Sequence, residues 1–224
     1  MNFDRLKITG NLYDDPKILE RFSTDSSSYR IRPKLVVEPK TEDDILTVVN
    51  AAREQQIPIT CRAGGSGLSG AGVGEGIILN FKKLYNSVLS VGDETVVLPG
   101  AILDDFLKQM SQLNLMLPAV PSSSALCSLG GNIGTRSTGP RTARWGTIDD
   151  FVTSLKFITA KGDIVDTRMP LPSYLNDGLI DIRQRFLDDD FAVNIVKNRP
   201  YIAGGYNLKA LLKFSDPREI AAHL

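Results

Sequence analysis

Apolar residues along the chain fall into short runs separated by stretches with helical spacing. Leu35-Val36-Val37 is an unbroken apolar run between Pro33 and Pro39, the mark of a buried strand. Thr41-Glu42-Asp43-Asp44 follows, a hydroxyl with acids over the next turn, which predicts a capping-box helix start. Ile45, Val48, Val49 and Ala52 then keep helical spacing to about Gln55. Ile57–Cys61 and Ile77–Phe81 predict two more strands, completing a first unit from Pro33 to about Lys83. Val88–Val91 and Thr95–Leu98 flank Gly92-Asp93 and predict a hairpin. Ile102, Leu103, Phe106, Leu107 and Met110 predict an amphipathic helix ending near Asn114. Phe151–Ala160 and Ile164–Asp166 predict strands around a Lys161-Gly162-Asp163 turn. Residues 173–198 and 208–214 have helical patterns, with a turn at Gly204-Gly205 between them. Residues 1–31 read as an arm, with a short helix after Pro16.

Between the second and third strands lies Cys61–Gly76, in which seven of sixteen residues are glycine. Loops beyond about 12 residues are uncommon in compact domains and are often functional. Glycine reaches backbone conformations closed to other residues, and successive amides can form a nest for an anion. A flexible linker would not need Leu68 and Val73. Gly65-Ser66-Gly67-Leu68-Ser69-Gly70 also matches the dinucleotide fingerprint, but that motif must open a helix. The following Ala71-Gly72-Val73-Gly74-Glu75-Gly76 cannot sustain one, at about 1 kcal/mol per glycine. No Gly-Lys-Ser/Thr follows, so a phosphate loop of the Walker type is excluded. A second stretch of small hydroxyls and glycines, Pro121–Thr135, is read two ways: close approach to a polar ligand, or a helix N-terminus packed on a neighbour.

Composition narrows the chemistry. Of 224 residues, 42% are hydrophobic and 23% charged, an ordinary globular balance. Lys plus Arg and Asp plus Glu are 26 each, so no net field draws the chain to nucleic acid. Asp4, Arg5 and Lys7 argue against a signal peptide, and no apolar run reaches the length of a membrane span. Two cysteines, Cys61 and Cys127, are too few for a four-ligand cluster and predict a reducing compartment. One histidine, His223, argues against a Ser–His triad or a multi-histidine metal site. Asp188-Asp189-Asp190 reads as a solvated helix face rather than a metal site. No metal ligand set is expected.

Several motifs in order carry a resemblance. They are Arg62-Ala63-Gly64-Gly65-Ser66-Gly67-Leu68-Ser69-Gly70, Pro121-Ser122-Ser123-Ser124 with Leu129-Gly130-Gly131-Asn132-Ile133, Trp145-Gly146 and Lys161-Gly162-Asp163-Ile164-Val165. From about Pro33 to Asp166 the chain resembles the FAD-binding domain of the vanillyl-alcohol oxidase / p-cresol methylhydroxylase (PCMH-type) superfamily. It is similar there to glycolate oxidase flavin subunits and D-lactate and D-2-hydroxyglutarate dehydrogenases. The resemblance implies an α+β fold in which two subdomains clamp FAD. It implies a domain plan: an arm over 1–32, a first subdomain over 33–83 carrying the loop 62–76, and a second over 84–224 that ends before a substrate or cap domain.

It also implies contacts. Ala63, Gly64, Gly65, Ser66, Gly67 and Leu68 would hold the pyrophosphate, with Ser69 and Gly70 nearby. Pro121, Ser122, Ser123, Gly130, Gly131 and Ile133 would run along the flavin and ribityl chain. Gly139 would line the same channel, and Ile164 would meet the adenine. Ser66 stands where covalent members carry histidine, so the FAD is expected to be non-covalent, and Cys127 is read as a small buried thiol. The implied activity is oxidation of a small 2-hydroxy acid (glycolate, D-lactate or D-2-hydroxyglutarate) by hydride transfer to FAD. No catalytic residue is assigned; the base and the carboxylate clamp are expected beyond Leu224, so that these residues alone would not turn over substrate. An electron-acceptor subunit, a cytoplasmic location and a peripheral membrane attachment through a partner complete the expectations. The alternatives are a UDP-sugar cell-wall reductase of the same fold and a non-catalytic nucleotide-binding or assembly subunit.

Overall fold

A computed structural model describes residues 6–92, 94–199 and 205–224. Asp93 and Gly204, in the two expected turns, lie outside the described residues, as do the charged positions Asp4 and Arg5. Contacts divide the chain into two compact units. The first runs through Leu117 and adds Pro121–Gly134 and Ala160–Gly162; the second holds Pro118–Val120, Thr135–Thr159 and Asp163–Leu224.

The first unit is built on a four-stranded sheet, β1 (Asn11–Tyr13), β2 (Leu35–Glu38), β3 (Ile59–Arg62) and β4 (Ile77–Asn80), in the order β1-β2-β4-β3. β2 and β3 both run parallel to β4, and β1 closes the edge antiparallel to β2. Every residue of β2 and β4 is buried, as expected for parallel strands covered on both faces. Helix α1 (Pro16–Arg21) sets Leu19 against Val36 and Ile78, so the N-terminal stretch joins the sheet by strand pairing and the core by packing.

Helix α2 (Glu42–Glu54) starts on the expected capping box: Thr41 Oγ1 accepts from the Asp44 amide, and Asp44 reaches back to the Thr41 amide. The Asp44 carboxylate also accepts from the amides of Thr9, Gly10 and Lys40, which pins the chain before β1 to the start of α2. Burial pushes this carboxyl up, but the amides of Thr9 and Lys40 and the Thr9 hydroxyl outweigh it and hold it below its ordinary value. The expected hairpin is present as β5 (Val88–Ser90) and β6 (Val96–Val97). Helix α3 (Leu103–Gln112) follows, and α4 (Leu129–Gly134) ends the unit's second glycine stretch.

The second unit contains α5 (Thr142–Trp145), a 3₁₀ turn over Ile148–Phe151, and a hairpin of β7 (Lys156–Ile158) with β8 (Ile164–Asp166). The expected strand over 151–160 is therefore shorter. Thr147 and Asp150 form a second capping box, which coils the chain through Phe151 before it extends. Helices α6 (Ser173–Leu187), α7 (Asp190–Lys197), α8 (Lys209–Lys213) and α9 (Pro217–His223) complete the unit. Leu179, Leu211 and Ile220 form its helical core. Of the acidic run, Asp189 caps α7 by accepting from the Ala192 amide, and Asp188 accepts from Gln184. The His223 ring lies between the carbonyls of Glu219 and Val152, 2.8 and 2.9 Å away, and against Phe214. Among the described residues no helix is long and apolar enough to cross a membrane, and no cluster of metal-ligating side chains occurs.

Candidate functional site

The parallel pairing of β3 with β4 explains the length of the glycine loop. Adjacent parallel strands require the chain to return along the length of a strand, roughly 13 Å for four residues. A helix usually makes that crossover; here residues 63–76 make it as a loop. Length alone is thus architectural. What points to function is which glycines the architecture does not require.

Most of them it does require. A Cβ built on Gly74 would stand 2.2 Å from Thr60 Oγ1, and one on Gly76 would stand 2.0 Å from the Pro58 carbonyl oxygen. These residues let the returning chain lie against β3. A Cβ on Gly64 would stand 2.0 Å from the Leu126 carbonyl oxygen, where the second glycine stretch passes the first. Gly65 has φ +63, a left-handed conformation that disfavours a side chain. Gly67 differs: it has no positive φ and nothing within 4 Å of a built Cβ. It sits at the crest, with Leu68 81% exposed beside it.

The crest is also rich in free donors. Among the described residues, the amides of Gly65, Ser66, Gly67, Leu68 and Ser69 donate to no protein acceptor. A run of such amides around an open glycine is a donor set suited to an anion of several oxygens, and side chains at Gly67 would fill the approach to it. The residues present therefore fit the pyrophosphate of FAD.

The feet of the loop are tied down. The Ser26 amide donates to the Gly65 carbonyl at 3.0 Å, and the Gly72 amide donates to Asp25 Oδ2 at 3.1 Å. Arg62 Nη1 donates to the carbonyls of Phe22 and Gly72 at 3.3 and 3.2 Å, with its guanidinium 5.2 Å from the centre of the Phe22 ring. A Cβ on Gly65 would stand 2.6 Å from Arg62 Nη2, so this cation lies directly against the start of the crest. The glycine pattern points to backbone donors alone; the structure adds Arg62 and Asp25 as side chains that hold the loop. Burial lowers the Arg62 pKa and Asp25 opposes that. Burial also pushes the Asp25 carboxyl up, but Ser27, the Gly72 amide and Arg62 outweigh it and hold it below the ordinary value.

The second stretch, 121–134, is arranged otherwise. Leu126 and Cys127 amides both donate to the Ser123 carbonyl, Leu129 to Ala101, Gly130 to Pro99 at 2.9 Å, and Gly131 to Ser128 Oγ. A Cβ on Gly130 would stand 2.5 Å from Pro99 Cβ. At Gly130 glycine serves close packing of α4 on the chain before α3. Pro121 and Ser123 are half-buried, Ser122 is exposed, Ile133 is half-buried, and Cys127 is a buried thiol as expected. The structure therefore brings Ala63–Gly70 and Pro121–Ile133 together in the first unit, through Gly64 and Leu126. Gly139 and Ile164 belong to the second unit. The Gly139 amide donates to Thr142 Oγ1 at 2.9 Å at the start of α5, and Ile164 opens β8 opposite Ile158 with its side chain 42% exposed.

Comparison with known proteins gives the family of the chain. A family described as FAD binding domain matches residues 33–168. The glycolate oxidase subunit GlcD of Bacillus subtilis (strain 168) is 32% identical over 144 residues, covering 62% of this chain and 30% of that protein. The D-2-hydroxyglutarate dehydrogenase of Pantoea ananatis (strain AJ13355) is 29% identical over 163 residues, 70% of this chain and 16% of that protein. The chain thus spans under a third of the length of these relatives. A crystal structure of p-cresol methylhydroxylase with substrate bound shares the fold, with a TM-score of 0.60 at 21% identity over 73% of this chain and 34% of that one. The fold is α+β of the p-cresol methylhydroxylase type, its cofactor is FAD, and the chain belongs to the FAD-binding domain family.

Proposed function

We propose that the chain is the flavin-holding part of an FAD-dependent oxidoreductase that acts on the CH–OH group of a small 2-hydroxy acid of the glycolate, D-lactate or D-2-hydroxyglutarate type. The observation that carries the binding role is the crest: an open Gly67 flanked by amides that donate to no acceptor among the described residues. The substrate class is drawn from the names of the relatives. Bound FAD would supply the hydride acceptor for such an oxidation.

The chain's own residues bind and orient. The amides from Gly65 to Ser69 would hold the pyrophosphate, with Ala63 and Gly64 forming the approach and Gly70 the exit of the crest. In the second stretch the glycine amides are engaged inside the protein, so that Pro121, Ser122, Ser123 and Ile133 would contribute shape and hydroxyls to the flavin side. No side chain of the crest can attach flavin as a histidine would, so binding is non-covalent. The His223 ring faces two carbonyls of the second unit's core and is not put forward as a base. The base and the carboxylate clamp, an electron acceptor and a cytoplasmic setting belong to the whole protein and are part of the same proposal.

The test is a titration of the chain with FAD, followed by acid precipitation and by anaerobic addition of D- and L-2-hydroxy acids to the FAD-loaded protein. Tight binding, complete release of flavin into the acid supernatant, and bleaching by one enantiomer are expected. A chain that binds no FAD, or flavin held in the pellet, contradicts the binding role. Flavin that no 2-hydroxy acid bleaches contradicts the substrate class.

A further inference from the structure

The segment before β2 does more than cover the sheet edge. Thr24 and Arg30 form an isolated antiparallel bridge, and the Ile31 amide donates to the Ser23 carbonyl at 2.8 Å. Residues 23–31 are thereby folded back on themselves. The tip of this fold reaches the glycine loop at three separate points. Ser26 holds the Gly65 carbonyl, Asp25 holds the Gly72 amide, and Tyr29 lies against Gly70, where a built Cβ would stand 2.6 Å from its ring. Asp25 is fixed in turn by the Ser27 amide at 2.8 Å. Arg62 joins the two partners, bonded to a carbonyl from each: Phe22 on the segment and Gly72 on the loop.

These contacts lie at the two ends of the crest and none of them engages its amides. Gly65 and Gly72 are tied, while the amides between Ser66 and Ser69 are left to donate outward. A glycine-rich crest without such ties would sample many conformations, and each would have to be lost on binding. We propose that Asp25 and Arg62 are positioning residues of the cofactor site, which act as one clamp that holds the glycine loop in its donor-presenting conformation. They bind through the loop and not to the flavin. This rests on the crest being the pyrophosphate anchor, as argued above.

The experiment measures the affinities of the chain for FAD and for ADP, which carries the pyrophosphate without the flavin. Wild type, Asp25→Ala, Arg62→Met, the double variant and Asp25→Asn are compared well below each variant's melting temperature. There, a loss of global stability alone does not alter a Kd. Each single variant is expected to weaken FAD and ADP by the same factor, about tenfold. The double variant is expected to be no weaker than the worse single one, because the two residues serve one clamp. Asp25→Asn keeps one acceptor oxygen and is expected to fall between wild type and Asp25→Ala. Unchanged ADP affinity in the single variants, or losses that multiply to about a hundredfold in the double variant, would overturn the clamp. A wild-type chain that binds neither FAD nor ADP overturns the anchor itself, and the clamp with it.

Discussion

Residues 63–76 and 121–134 are both rich in glycine and small hydroxyls, yet the glycines at Gly67 and at Gly130 are used in opposite ways. In the first stretch the amides from Gly65 to Ser69 donate to no acceptor among the described residues, and Gly67 has open space above it. In the second, the amides of Leu126, Cys127, Leu129, Gly130 and Gly131 all donate to protein oxygens, and Gly130 is packed on Pro99. A glycine can be present because the fold has no room or because a ligand needs the room. Composition does not separate these cases. The contents of the space where a Cβ would stand do.

Substitutions should therefore split the two stretches by what they damage. The largest effect is expected at the crest. Gly67→Asp puts a carboxylate where the pyrophosphate would lie, and should weaken FAD by about a hundredfold or more. The melting temperature of the flavin-free chain should stay at the wild-type value, because none of the described residues occupies that space. Fluorescence titration and a thermal melt on the same sample check both halves.

Next comes the converse change. Gly130→Ala forces a Cβ to within 2.5 Å of Pro99 Cβ, and should destabilise the first unit by about 1–3 kcal/mol in urea unfolding. FAD affinity at a temperature where the variant is fully folded should change far less than in Gly67→Asp. Equal loss of affinity in the two variants would erase the distinction between the stretches.

The loop feet give a smaller, pH-dependent effect. The Asp25 carboxyl is held below its ordinary value in the folded chain. Its stabilisation is then fully present above the unfolded pKa of about 3.9 and is lost as pH falls through the lower folded value. Asp25→Ala should cost about 1 kcal/mol of stability, by a constant amount from pH 8 to pH 5. The gap to wild type should close only below about pH 4. A gap that closes near neutrality would contradict the contacts described for Asp25. The smallest effect is expected at Ser122, an exposed hydroxyl of the second stretch. Ser122→Ala should weaken FAD by about threefold and leave unfolding unchanged.

Much of the first unit was legible because its signals are local. The apolar runs at Leu35 and Ile77 marked the two central strands, and Thr41 through Asp44 marked the start of α2. The same hydroxyl-to-acid signature, Thr147 to Asp150, is masked by the apolar run that follows it, and the strand expected from Phe151 begins only at Lys156. β1 was not legible: three residues of mixed polarity carry no periodicity, and only pairing with β2 makes them a strand. The glycine loop stood out, but its length reflects the parallel crossover as much as any ligand. Asp25 and Arg62 could not be linked from the sequence, since the Asp25–Gly72 contact spans 47 residues and exists only once the sheet has formed. The distinction between Gly67 and Gly130 is of the same kind. It depends on tertiary neighbours that no local pattern names.

Residue-resolved hydrogen–deuterium exchange of the chain, with and without FAD, tests the central claim most directly. The predicted result is that the amides of Gly65 through Ser69 exchange freely without FAD and become protected on its addition, while those of Leu129 through Gly131 are protected in both conditions and change little. Protection gained at 129–131 with no change at 65–69 would contradict the assignment of the crest as the pyrophosphate anchor.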